Sequence, residues 1–332
     1  MQVSLETVSC GVCGSRRFRH LFNARDYIYG NEGEWPVAQC DDCDVVYMNP
    51  RIPAAQIHQF YPPDYYTSTI GIHDPERMTW RRAAKDAAVE KYFGYRIPRR
   101  DPLHYHVLGW LMLPFTKRWT ATCKYIFPIY GGRVLDVGCR NGQWLSEYRR
   151  LGWDVEGVEP DPDSAAIAQQ AGHRVFVGTV LEARYPNDHF DAVTLWDALE
   201  HIDNPSEVIR EIFRVVKPNG QVYISIPNFG SWYGRTFRDR WFMFTAPIHY
   251  YHYTQDTLTG LLRREGFGHI QVSFPLGDVG CRFTLRAAWR DHKARSRLLR
   301  TGIVNAFLAG LDLLLPYGHL LAMAVKPLRE CP

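Results

Sequence analysis

Between residues 131 and 230 the apolar positions come as short continuous runs separated by stretches of helical spacing. Arg133 to Val137 is a buried strand, and from Gln143 the apolar Trp144, Leu145, Tyr148 and Leu151 recur on one helical face until Gly152 stops it. Asp154 to Glu159 is the next strand. Asp161 then caps a helix with Pro162 at its first position, running through Ala171. Arg174 to Val177 and Phe190 to Trp196 are further strands. Asn204-Pro205-Ser206-Glu207 opens a helix whose Val208, Ile209, Ile212, Phe213 and Val216 face inward. Lys217-Pro218-Asn219-Gly220 predicts a turn before a strand over 221–226. Strand and helix alternate, so an α/β fold with a parallel, doubly wound sheet is expected, with ligands at the C-terminal strand ends.

Outside that region the pattern is looser. The stretch from Phe60 to Tyr66 is aromatic and broken by prolines, which suits a loop or a flap. Arg77 to Phe93 has helical spacing with a polar face, and Val107 to Phe115 is an apolar patch broken by Gly109 and Pro114. A helical cap over the sheet accounts for both. After an aromatic and basic segment from Trp232 to Tyr253, Thr254 caps a helix ending near Glu265 and Gly266. His269–Phe274 and Leu320–Val325 read as closing strands. Arg286, Arg290, Lys293, Arg295, Arg297 and Arg300 precede an apolar stretch from Ile303 to Leu315. Such a segment suits an amphipathic helix packed on the body, or a peripheral contact with an anionic membrane over Arg286–Leu315.

Composition narrows the class. The 332 residues are 46% hydrophobic and 22% charged, as in a soluble globular protein, and the net charge of +4 is too mild to indicate nucleic acid. Met1 to Ser9 has no signal pattern, and 302–325 is interrupted by Asp312, Pro316, Gly318 and His319, so a cytoplasmic location is expected. Among eight cysteines, Cys10-Gly-Val-Cys13 and Cys40-Asp-Asp-Cys43 form two knuckles that together complete a tetrahedral four-cysteine site. With all four ligands from protein, a Zn2+ there would be structural, holding together a segment with little core of its own. An iron–sulfur cluster fits four cysteines as well, but knuckle spacing favours zinc.

The glycine loop carries the other chemistry. Gly138 and Gly142 let the backbone turn sharply between strand and helix, and Glu159 ends the next strand about 20 residues on, where an acid can accept from ribose hydroxyls. Both dinucleotide and nucleoside binders share this arrangement. His201, His249 and His252 are candidate catalytic residues. His201 follows the fourth strand at the sheet end expected to face ligand, while His249 and His252 lie three apart in an aromatic loop. No third ligand to join the histidines around a metal is evident in the sequence.

Taken together, Val134-Leu135-Asp136-Val137-Gly138-Cys139, Phe190-Asp191-Ala192-Val193 with Trp196-Asp197-Ala198-Leu199-Glu200-His201, and Val215-Val216-Lys217-Pro218-Asn219-Gly220-Gln221 resemble the motifs of class I S-adenosylmethionine-dependent methyltransferases. The four-cysteine segment followed by Tyr47-Met48-Asn49-Pro50-Arg51, and the stretches Ile226-Pro227-Asn228 and Pro247 to Thr254, are similar to a bacterial subgroup with an N-terminal zinc-binding segment. The resemblance implies a Rossmann-like, seven-stranded, mostly parallel sheet with a zinc-ribbon-like module at 1–50. A linker and cap over 51–130, a cofactor-binding core at 131–230 and a completing segment at 231–332 would follow. It implies that Asp136, Gly138, Cys139 and Gly142 line the methionine end of S-adenosylmethionine, Glu159 its ribose, and Thr179, Val180 and Leu181 its adenine. Trp196 would close the pocket, with Asp197 beside it. The acceptor would be a small molecule or a glycosyl or lipid-carried metabolite, methylated on oxygen. A degenerate, non-catalytic binding protein and a nucleic-acid methyltransferase are the competing expectations. Two positions depart from the family: Arg140 stands where glycine is usual, requiring a strained backbone or crowding the cofactor, and Thr179 replaces a frequent acid.

Overall fold

The computed structural model describes residues 4–62, 80–97, 124–274 and 318–328, together with positions 107, 110, 111 and 284. Most of the expected cap and the whole basic segment 286–315 lie outside the described residues. The strands are β1 (Phe18–Ala24), β2 (Trp35–Cys40), β3 (Val46–Met48), β4 (Arg133–Val137), β5 (Asp154–Glu159), β6 (Arg174–Val177), β7 (Phe190–Trp196), β8 (Val216–Pro227), β9 (Tyr251–His252), β10 (Gly268–Ser273) and β11 (His319–Val325). The helices are α1 (Ala54–Ile57), α2 (Trp80–Phe93), α3 (Gln143–Arg150), α4 (Pro162–Gln170), α5 (Val180–Ala183), α6 (Pro205–Val215), α7 (Trp232–Phe237) and α8 (Gln255–Arg264). No described helix is long and apolar enough to cross a membrane.

Seven strands form one sheet in the order β10-β11-β8-β7-β4-β5-β6, and β4 pairs in parallel with both β5 and β7. The reversal of direction about β4 creates the switch point where open α/β sheets bind ligands. Apolar runs do the placing. In β4 and β7 every residue from Val134 to Val137 and from Ala192 to Trp196 is buried, as expected for a strand covered on both faces. Asp161 caps α4 by accepting from the Ser164 amide at 2.8 Å, and Gly152 and Gly266 end their helices in the left-handed region. One boundary differs from expectation. The turn expected at Lys217–Gly220 is taken into β8, although Asn219 keeps a φ of 62°. Its amide and the Gly220 carbonyl pair with Lys326.

The chain divides into two compact units. The first comprises 1–65, 197–210 and 225–322; the second comprises 66–196, 211–224 and 323–332. The first unit holds a four-stranded sheet in the order β1-β2-β3-β9, in which Val46 of β3 lies opposite His252 of β9. Trp35, Val37, Met48, Trp241 and Phe244 form its apolar core. In the second unit α2 and α3 are joined by ions around the buried Glu147. Arg82 meets Glu147 at 2.8 Å, and Arg150 meets Glu147 at 3.1 Å and Asp86 at 2.8 Å.

Candidate functional site

In the second unit, Asp136, Gly138, Cys139, Gly142 and Glu159 come together at the ends of β4 and β5. The amides of Gly138 and Cys139 both donate to the Val158 carbonyl, at 2.8 and 3.1 Å, which folds the loop onto the neighbouring strand. Gly142 has a φ of 77°, and a Cβ there would lie 2.8 Å from the Ala168 methyl, so both backbone and packing require glycine. The Cys139 thiol packs over Gly157, where a Cβ would meet its sulfur at 2.6 Å. Burial pushes that thiol well above its usual range, so it stays protonated where it packs.

Glu159 is almost wholly buried, and each of its oxygens receives a backbone amide. Arg140 donates to Oε2 at 2.8 Å and Asp161 to Oε1 at 2.9 Å. A carboxylate has about four lone-pair sites, so this clasp fixes its plane and leaves capacity for two hydroxyl donors. Burial raises its pKa, against the pull of the two amides. Arg140 makes its bond from the left-handed region, at φ 51°, as its place in a glycine position required, and its side chain is exposed.

Asp136 is buried and accepts from the Thr194 hydroxyl at 2.6 Å. Burial raises its carboxyl to about 7, with Thr194 and Lys124 pulling the other way. Trp196 ends β7 inside an aromatic cluster. Its indole N–H donates to the Tyr148 hydroxyl at 2.9 Å, and Trp144 lies 6.3 Å away between centroids. Lys124 sits over the Trp196 ring at 5.8 Å. Thr179 caps α5, its hydroxyl and amide both engaged by Glu182. Val180 is buried behind it, while Leu181 is exposed. A cationic, ribose-bearing ligand fits this donor set: a clasped carboxylate, a second buried carboxylate and a glycine corner.

The remaining predicted residues belong to the first unit. Asp197 takes a φ of 53° and pairs with His319 at 3.2 Å. His201 and His249 meet edge to face with centroids 4.5 Å apart. His201 Nδ1 lies 3.1 Å from the Ile248 carbonyl and 2.9 Å from the Tyr61 hydroxyl. Two acceptors do not bond, so the carbonyl contact assigns the proton to Nδ1. His252, the third of the expected catalytic residues, lies with its ring centroid 6.4 Å from that of His249. It is buried and stacked on Phe244 at 3.8 Å, and burial holds it down to about 3. Glu200 was not legible as a site residue, although it adjoins His201 in the sequence. Its carboxylate, His201 and His249 bring ligand atoms within 4.8 Å of one another. The expectation that the histidines lack a third partner is therefore corrected: the missing signal was the fold of 243–250 back over 199–201, where the Tyr250 amide donates to the Glu200 carbonyl at 2.8 Å.

The four sulfurs of Cys10, Cys13, Cys40 and Cys43 also lie within 4.8 Å of one another. Cys10 and Cys43 approach to 3.6 Å, and Cys13 and Cys40 to 3.4 Å. Burial and the neighbouring sulfurs push Cys13 up to about 11. Four crowded sulfurs form a donor set that suits Zn2+.

Residues 115–272 match a family model described as a methyltransferase domain. Among curated proteins, a ubiquinone biosynthesis O-methyltransferase of Pseudomonas fluorescens is 38% identical over 106 residues, 30% of this chain and 45% of that protein. One from Pseudomonas putida is 40% identical over 107 residues, with the same shares. Another from Azorhizobium caulinodans is 30% identical over 127 residues, 36% of this chain and 50% of its own length. The chain thus spans about half the length of the curated relatives it matches. Over residues 115–272 the chain thus matches a methyltransferase domain, and the strand order, the glycine corner and the clasped glutamate already described agree with the class I S-adenosylmethionine-dependent methyltransferases.

Proposed function

We propose that this protein transfers a methyl group to a hydroxyl oxygen of a small molecule. The observation that carries the reading is Glu159, held by two backbone amides at the end of β5 beside the Gly138–Gly142 corner. S-adenosylmethionine, when bound, supplies an electrophilic methyl group on a sulfonium. Glu159 would accept from its ribose hydroxyls, Asp136 would favour its positive charge, and the α3 end of the loop would take its carboxylate. Thr179, Val180 and Leu181 would border the adenine, and Trp196 the methionine portion. The named relatives act on oxygen, which supports an oxygen acceptor here. His201 and His249 are the acceptor-side residues in this reading, the former with its tautomer set by Ile248. We place a structural Zn2+ on Cys10, Cys13, Cys40 and Cys43.

Calorimetric titration with S-adenosylmethionine and S-adenosylhomocysteine tests the cofactor assignment. Micromolar binding, about −8 kcal/mol, is expected, with loss in Glu159→Ala. If neither ligand binds the unmodified chain but both bind Arg140→Gly, the protein is a binding module closed by Arg140. Binding by neither protein removes the methyltransferase reading.

A further inference from the structure

Within the first unit, Glu200, His201 and His249 converge from two segments of chain. Glu200 and His201 lie on the short helical turn 199–201, and His249 on the loop before β9. Their ligand atoms fall within 4.8 Å of one another, and Glu200 and His249 are buried while His201 is partly exposed. The outer bonds of both imidazoles have the form that metal-bound histidines require. The Ile248 carbonyl 3.1 Å from His201 Nδ1 can only accept; with the proton on Nδ1 the Tyr61 oxygen at 2.9 Å accepts as well, and Nε2 carries the lone pair. For His249 the Met243 backbone holds one ring nitrogen, and Nδ1 is buried with no hydrogen-bond partner among the described residues. Nε2 is therefore the nitrogen turned to Met243, and Nδ1 is the unused donor atom. A carbonyl on the far nitrogen fixes ring and tautomer, as outer partners of metal-bound histidines do. Leaving a buried imidazole nitrogen unsatisfied costs about 1–3 kcal/mol, and a cation would remove that cost.

We propose that Glu200, His201 and His249 form a second metal site, which binds a divalent transition-metal cation such as Zn2+, Mn2+ or Co2+. Two imidazoles and one carboxylate are a hard-to-borderline donor set, unlike the four sulfurs of the cysteine site. A tetrahedral ion with bonds of about 2.1 Å spaces its ligands about 3.4 Å apart, so side-chain rotations close the shell. The carboxylate of Asp197, three residues before Glu200, acts on His249 electrostatically and adds negative charge to the neighbourhood. Three protein ligands leave at least one coordination position for an oxygen donor.

The test uses the full chain with zinc retained at its cysteines. Co2+ is titrated in and followed by visible absorption, with bound metal counted by mass spectrometry. Expected is a second equivalent whose spectrum lacks thiolate-to-cobalt charge transfer. In Glu200→Gln and His249→Gln its affinity should fall by more than the roughly 10–100-fold that losing an outer partner costs. Only one metal per chain in the unmodified protein, or a second equivalent that survives both substitutions, overturns the proposal. Should a variant fail to fold, proton NMR of the unmodified Co2+ form decides. Two exchangeable imidazole signals shifted by the metal are expected, from His201 Nδ1–H and His249 Nε2–H, and their absence overturns the site. Neither readout involves the cofactor, so failure here leaves methyl transfer standing, and failure of cofactor binding leaves the metal count untouched.

Discussion

Asp136 is a carboxyl group kept near neutrality by its own strand, and that has consequences for both stability and binding. Its folded pKa, about 7, lies above the value of about 3.9 for an unfolded aspartate. The unfolded state therefore gives up its proton first as pH rises. The contribution is fully present below about pH 4 and is lost as pH climbs through 7. A cationic ligand reverses the preference, because it favours the ionised form. The affinity for S-adenosylmethionine should thus fall by up to about tenfold for each pH unit below 7. Calorimetry between pH 5.5 and 8 reads this directly, and Asp136→Asn should bind weakly with the slope abolished. An unmodified protein with flat affinity over that range would separate Asp136 from the ligand's charge. Arg140 poses a different question at the same corner. Its φ of 51° costs an L-residue about 1–2 kcal/mol, while its useful bond to Glu159 comes from the amide, which glycine retains. Arg140→Gly should raise unfolding stability by about 1 kcal/mol in urea titrations and leave the clasp intact.

At the scale of elements, the α2–α3 junction depends on charge in place of an apolar seam. Glu147 is buried, yet Lys85, Arg150 and Arg82 overcome the effect of burial and hold its carboxyl down to about 2. Tyr125 also donates to it at 2.7 Å. Glu147→Ala would leave Arg82 and Arg150 with Asp86 as their shared carboxylate partner, so a loss of about 3 kcal/mol is expected. Since the folded pKa is depressed, the network's contribution is present above the unfolded value near 4.5 and fades as pH falls toward 2. Urea titrations of the two proteins at pH 7 and pH 3 should therefore converge at the lower pH. This junction also shows what sequence could and could not reveal. Strands β4 to β7 were legible to the residue, because apolar runs, or in β5 valines alternating with acids, are punctuated by glycine, proline or a cap. The partners of Glu147 were not, since an ion on a helix face looks the same in the sequence whether solvated or buried. The same holds for Glu200, which becomes a site residue only when 249, some fifty positions later, folds back beside it. The extension of β8 through Pro218 and Gly220 ran against local turn chemistry, and pairing with Lys326 outweighed it.

On the scale of the whole molecule, the chain is interleaved, and the cysteine knuckles show how the first unit is assembled. The Gly11 amide donates to the Tyr251 hydroxyl at 3.1 Å, and Arg264 donates to the Val12 carbonyl at 2.7 Å. Tyr47 of β3 stacks on Tyr251 of β9 at 5.9 Å. A segment from the start of the chain is thereby part of the same sheet as one from beyond residue 250, and the cysteine site lies where they join. The metal proposed there acts on more than a short N-terminal module. Because metal-binding free energy is folding free energy in such segments, Cys40→Ser should loosen every strand of that sheet, β9 included, and the α8 end near Arg264. Strands β4 to β7 have their own apolar runs and parallel pairing, so their protection should remain. Hydrogen exchange followed by peptide mass spectrometry resolves the two responses. Faster exchange over 18–48 and 250–264, with 133–137 and 190–196 unchanged, is the expected result. Loosening confined to 18–48 would mean that the cysteines stabilise their own loop alone and that the pairing of β3 with β9 stands without them.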